Sequence, residues 1–507
     1  MNFFRKNEKE CRERYFSPSI FYITMNILIS SNKKMVPTYV GMALGVGMAV
    51  TAVSWVCFFA LIFPLGLVHG MPRVALGFAV GIPMIVSAFT LPFFLLLVSR
   101  TPVRALGRYH WVLMLSAIFA VIGFVAVFNM PKGAHTLVKL IYVFVAVYFF
   151  SSGALMYAVT HFKLAMRISA DRSELDKLNL FWLAVTAVAT VTAVASMIFW
   201  VPVDRQNILN ITFLAGTIML LAGITAFFGT YNYLPRIEIK EIGLAKQHYP
   251  KEVISDFKSI SGNRNVDGLE NAGEYIAYDV NKCNGISTVA KRLFLTGIAF
   301  CLFALFFCAV LALPILFIVA ERTGLFGYTP QRGGLVFALI GIVFFALIYF
   351  LGIKFPPKSI SNAAKRCCFP ISLCAGFFTV LLFISMFSGT VDIMAVFAGF
   401  VITPVIGACG GLAISAISAH WTFLNENSKT KIAVENKQIL SYISVTIVAG
   451  LAVIFSGAAM SLAGSGRHAW VVYVGVAVSA AVIGIILLVA ASKNNTKRII
   501  QNMKTDK

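Results

Sequence analysis

Residues 333–353 read GGLVFALIGIVFFALIYFLGI, twenty-one residues without a charge, set between Arg332 and Lys354. About 20 apolar residues in a helix cross a hydrocarbon core. In lipid, a helix is the single-segment structure that pairs its own backbone groups. The stretch therefore reads as a membrane span. Eleven others read the same way, giving twelve spans at approximately 36–66, 73–98, 110–129, 137–160, 180–202, 209–230, 293–320, 333–353, 368–388, 391–419, 438–463 and 469–491. The whole chain agrees: 59% of its 507 residues are hydrophobic and 12% are charged, against about 25% charged in an average soluble protein. A soluble enzyme, a disordered chain and a secreted disulfide scaffold are excluded by that balance.

The net charge of +22 would suggest a nucleic-acid partner if it formed a patch. It does not, because it is distributed over the loops with one sidedness. With the N-terminus inside, 35 Lys and Arg fall on the cytoplasmic side and 7 on the outer side. The outer seven are Arg73, Lys132, Lys139, Arg205, Arg322, Arg332 and Arg467. By the positive-inside rule both termini are cytoplasmic, and no nucleic-acid partner is needed. Residues 1–34 are too polar to span and lack a signal-peptide pattern. They read as a basic cytoplasmic tail, with Met35 as an alternative start.

Six spans precede residues 231–292 and six follow. The expected organisation is a tail at 1–34, a six-helix bundle at 35–230, a cytoplasmic linker at 231–292, a second bundle at 293–491 and a basic tail at 492–507. A short echo relates the halves. His161-Phe162 stands fifteen residues before Asp176-Lys177, and His420-Trp421 stands fifteen before Glu435-Asn436, an offset of 259 residues. Two parallel six-helix repeats around a midplane site are the plan of the major facilitator fold. Gly41 and Gly45, and Gly77 and Gly81, have the spacing that lets helices approach closely.

The junction of spans 2 and 3 runs from Pro92 through Arg100, Arg104, Gly107 and Arg108 to Trp111, and the loop after span 4 runs Asp171-Arg172-Ser173-Glu174-Leu175-Asp176-Lys177. These two motifs resemble those of the glycoside–pentoside–hexuronide:cation symporters, the melibiose-permease branch of the major facilitator superfamily. The resemblance implies a sugar or glycoside as substrate and a cation as partner. It also implies site carboxylates, and these are missing. The two span 2 Asp positions hold Ser87 and Leu91. The span 4 Asp and Trp positions hold Ala158 and Phe162, and the span 5 Arg position holds Leu183. All twenty acids lie in loops or at span ends. Intramembrane carboxylates are the usual cation sites and proton relays, so their absence argues against carboxylate-based coupling.

Polar and aromatic residues within the spans remain as material for a site. The candidates for substrate contact are Trp55, Ser87, Thr90, Tyr148, Ser152, Phe162, Thr186, Tyr349 and Thr446. The candidates for cytoplasmic gating are Arg104, Arg108, His161, Asp171, Asp176 and His420. Hydroxyls and aromatic faces of this kind hold a polyol ring or a headgroup, although each Ser or Thr has an alternative partner in its own helix. There is no Walker A motif, HExxH or GxSxG, so neither an ATP-driven pump nor an enzyme is expected, and no cofactor or metal is called for. The nine Cys carry no zinc-ligand spacing.

The sequence thus predicts a monomeric, multi-pass protein of the plasma or inner membrane. Its partners are the bilayer and a small neutral solute moved by alternating access, a sugar or glycoside by the resemblance. Two alternatives stay open. One is a lipid or amphipath carrier of the same fold, since lysolipid carriers stand near this branch. The other is a receptor-like or assembly protein that does not transport.

Overall fold

The structure, a computed structural model, describes residues 36–100, 108–131, 133–168, 184–193, 205–231, 288–323, 330–355, 365–373, 398–426, 431–463 and 469–505, with positions 178, 195, 376, 377 and 380 besides. The described residues are helical apart from short turns. The first half contains α1 (Thr38–Val68), α2 (Arg73–Arg100), α3 (Arg108–Phe128), α4 (Thr136–Ile168), α5 (Ala184–Ala193) and α6 (Arg205–Tyr231). The second contains α7 (Thr288–Thr323), α8 (Pro330–Lys354), α9 (365–373), α10 (Thr403–Glu426), α11 (Lys431–Ala463) and α12 (Ala469–Thr505). Each expected span contains helix, and among the described residues eight helices are long and apolar enough to cross a membrane on their own.

Several helices run beyond their expected spans. α4 continues from 160 to Ile168, α7 begins at Thr288 rather than 293, and α12 continues through most of the expected tail to Thr505. Charged residues such as Lys163 and Lys493 end an apolar stretch without ending a helix. A lysine stem can lie along apolar surface while its head stays in water. The basic tail at 1–34, most of the linker and the Asp171–Lys177 motif lie outside the described residues.

The local chemistry of the helix ends is legible. Gly70 has φ 69°, and the amide of Met71 donates to Gly66 O at 3.0 Å. This is a Schellman turn that closes α1. Lys139 Nζ then donates to His69 O at 3.1 Å, a cation at the negative end of a helix. A π-helical turn, Ala398–Ile402, leads into α10 just before Pro404. Proline lacks the amide that a regular α-turn would use there, and a π-turn absorbs the misfit.

The two halves are built alike. In the first, α1 packs on α6 and α2 on α4; in the second, α7 packs on α12 and α8 on α10. That equivalence places His161 of α4 and His420 of α10 near the same end of matching helices, as the sequence echo implies. The halves meet where α2 lies along α11, α1 meets α7, and α4 meets α11. Toward the end that the charge count assigns to the outside, one core runs through both halves. It joins Phe58, Leu76, Val80, Phe124 and Phe150 with Phe307, Leu311, Phe337 and Val453. Toward the other end three smaller clusters replace it, and one of them joins Leu91 and Val112 of the first half to Ile439 and Ile443 of the second. Phe294, Cys301, Ile371 and Leu488 form a cluster confined to the second half. Leu44, Leu113, Tyr157 and Leu164 form one in the first half, which Tyr442 of α11 alone joins from across.

Candidate functional site

Near the middle of α1, Trp55 faces a group of rings. Its centroid lies 4.7 Å from that of Phe150 on α4, 5.5 Å from Phe59 in a stacked arrangement, and 5.8 Å from Phe58 edge-on. Phe58 and Phe150 are fully buried, whereas Trp55 and Phe59 are half-buried. Phe59 reaches Phe306 of α7 at 6.5 Å, so the aromatic group crosses between the halves at mid-depth. Offset and edge-on geometries are the favoured ones for such rings. The layer offers flat, weakly polar faces, and none of these side chains carries a charge.

The hydroxyls expected at the site divide into two kinds. Tyr148 of α4 donates to Thr90 Oγ1 of α2 at 3.4 Å, so these two candidates are brought together. The others mostly turn to their own helices. Ser87 donates to Met84 O at 2.7 Å, Thr90 to Ser87 O at 3.1 Å and Thr446 to Tyr442 O at 2.8 Å. Thr186 serves through its carbonyl, which accepts from Thr190 Oγ1 at 2.8 Å. Tyr349 stacks on Phe345 of its own helix at 5.9 Å. Ser152 differs: its Oγ is buried and has no hydrogen-bond partner. An orphaned hydroxyl in an apolar setting costs about 1–3 kcal/mol, which marks it as a place for an additional polar atom.

The gating candidates fall unevenly. Arg104, Asp171 and Asp176 lie outside the described residues, as do the side chains of Arg108 and His420. His161 is described and deeply buried, with an exposure of 3%, and its Nε2 lies 2.9 Å from Leu44 O on α1. It is a deep bridge between α4 and α1, because α4 runs a further two turns past it. Its ring stacks on Tyr157, one turn earlier, at 6.4 Å. Phe162 beside it is half-buried.

Sequence reasoning does not single out Phe58, Phe59, Phe150, Phe306 or His110. His110 is fully buried, and its Nε2 lies 3.0 Å from Thr230 Oγ1 on α6. The threonine proton is already given to Ala226 O at 2.7 Å. Between α1 and α6 lies a shallow, open depression of about 570 Å³, lined by Tyr39, Met42, Val46, Ile224, Thr225 and Phe228, where Gly229 rests against Ala43.

The family described as MFS/sugar transport protein matches residues 38–266. A comparison with curated proteins finds no match. Among solved structures, the chain is similar to the nucleoside transporter NupG, with 12% identity, TM-score 0.56, and 88% of this chain and 98% of that one covered. It is similar to a POT family transporter in complex with a thioalcohol-conjugated peptide, with 17% identity, TM-score 0.57, and 89% and 96% covered. It is also similar to a bacterial homologue of the iron transporter ferroportin in an inward-facing state, with 16% identity, TM-score 0.52, and 89% and 98% covered. At these identities the likeness is one of fold.

Proposed function

We propose that this chain, an all-α integral membrane protein of the major facilitator fold, carries a small neutral solute across the membrane by alternating access. The observation that carries the reading is the aromatic layer at mid-depth, where Trp55 and Phe59 of one half meet Phe306 of the other. A site shared by two halves is the one that their relative rocking exposes to each side in turn. Uncharged ring faces with the Tyr148–Thr90 hydroxyl pair nearby suit a ring that has an apolar face and hydroxyl edges. A sugar or glycoside has that form, in keeping with the family match over the first half. The lack of acids within the spans favours transport without carboxylate-based cation coupling.

The groove between α1 and α6 favours a second reading, an amphipath carrier of the same fold. Its lining is mostly apolar and open on one side, which suits a chain-bearing substrate.

A thermal-stability screen of the purified protein tests both. The panel holds sugars, glycosides, nucleosides, amino acids and lysolipids, with and without sodium, at two pH values. A native-state ligand at a hundred times its Kd stabilises by about 2.7 kcal/mol. The expected result is a rise in Tm with one neutral class, independent of sodium. A sugar shift that grows with sodium would overturn the uncoupled mechanism. A shift with lysolipid alone would select the amphipath carrier.

A further inference from the structure

Arg73 opens α2, and its Nη1 donates at 2.8 Å to Met460 O, 387 residues away. Met460 lies three residues from Ala463, the last described residue of α11, and a backbone carbonyl has two lone pairs with which to accept. A cation is the fitting partner there. Lys139 does the same for the end of α1, but within one half. Arg73 caps a helix of the opposite half.

Beneath this bond the two helices touch backbone to backbone. A Cβ on Gly77 would lie 3.1 Å from Gly457 Cα, and one on Gly457 would lie 2.7 Å from Arg73 O. One turn further, a Cβ on Gly450 would lie 2.8 Å from Gly81 O. Toward the opposite end the same two helices pack through larger side chains. Leu91, Phe94 and Leu95 meet Ile439, Tyr442 and Ile443 there. The contact is backbone to backbone at the one end and side chain to side chain at the other.

We propose that Arg73 is the latch that holds the outer end of the protein shut. The proposal rests on the alternating-access reading. Opening that end must break the Arg73–Met460 bond and part the glycine contact together. The guanidinium then returns to water, which makes the latch reversible. Losing a charge-assisted bond of this kind shifts a two-state population by about tenfold. Arg73 touches no substrate and acts as a positioning residue.

The test uses the full chain in lipid nanodiscs with Ser456→Cys. Ser456 is fully buried one residue from Gly457, and the exchange is nearly isosteric. The readout is its rate of modification by a bulky water-soluble maleimide, with sites assigned by peptide mapping. Arg73→Gln is expected to raise the rate about tenfold, and Arg73→Lys by less, since one donor remains. Gly457→Val, which wedges the contact, should raise it by a separate route. An unchanged rate in Arg73→Gln beside a raised one in Gly457→Val would overturn the latch. So would equal acceleration at the native Cys301, buried in the opposite cluster, because that would report unfolding. No substrate enters this measurement, so its failure leaves the carrier reading standing, and a silent ligand screen leaves the latch standing.

Discussion

Tyr157 and Gly47 share one space: a Cβ on Gly47 would overlap the Tyr157 hydroxyl. That hydroxyl is buried and has no hydrogen-bond partner, so α4 approaches α1 here by size alone. Tyr157→Phe is therefore expected to be neutral or stabilising, by up to about 1–3 kcal/mol, because it removes an unpaired polar group. Gly47→Ala should destabilise by about 1–3 kcal/mol through overpacking. The double variant should recover part of that loss, since Tyr157 Cζ would still lie 2.9 Å from the added Cβ. Thermal unfolding of the four proteins gives the coupling. Additive effects would show that the two side chains do not compete.

The His110–Thr230 bond joins two buried groups, and its loss strands a buried ring nitrogen. Thr230→Val should lower stability by about 1–3 kcal/mol, whereas Thr230→Ser should stay within about 0.5 kcal/mol. The measurement is Tm in one detergent. Equal effects of the two substitutions would place the cost in packing.

The Lys139 cap on α1 should respond to salt. Lys139→Ala removes the cation at His69 O, an interaction worth about 0.3–1 kcal/mol. Lys139 lies at an aqueous boundary, so the loss should shrink in high salt. A Tm difference that is indifferent to ionic strength would point to the lost lysine stem.

At the aromatic layer, Trp55→Phe should keep the ligand-induced rise in Tm and Trp55→Ala should cut it to about half at the same ligand concentration, with both proteins still folded. Ring stacking is worth about 0.5–1.5 kcal/mol beyond burial, so the alanine variant should bind roughly tenfold more weakly. A full ligand shift in Trp55→Ala would move the site away from this layer.

Composition makes the spans readable because each, like 333–353, has to be apolar throughout its length. The same property hides the site. A helix that is apolar all round carries no periodic signal of which side meets its neighbours, so Phe58, Phe59 and Phe306 look like any of the 45 phenylalanines. Trp55 stands out because tryptophan is scarce, at six in the chain. His161 reads as a helix-end residue because Lys163 and Arg167 follow it. Charge marks where hydrocarbon stops, and the helix outlasts it to Ile168. The polarity of Ser87 and Thr446 is plain in the sequence, but their hydrogen-bond partners are not. A hydroxyl that turns to its own helix carbonyl has the same one-letter code as one that faces a cavity.

The glycine contact between α2 and α11 has a consequence for synthesis. Gly77 leaves the ribosome 380 residues before Gly457, roughly 20 to 80 seconds earlier at ordinary elongation rates. For that interval the flat face of α2 lies against lipid or the insertion machinery, and Arg73 has no carbonyl to cap. The first bundle must therefore persist as a free-standing intermediate on its internal contacts, such as α3 on α4 and α1 on α6. Any variant that loosens those contacts should be lost during biogenesis, before the second bundle exists to steady it.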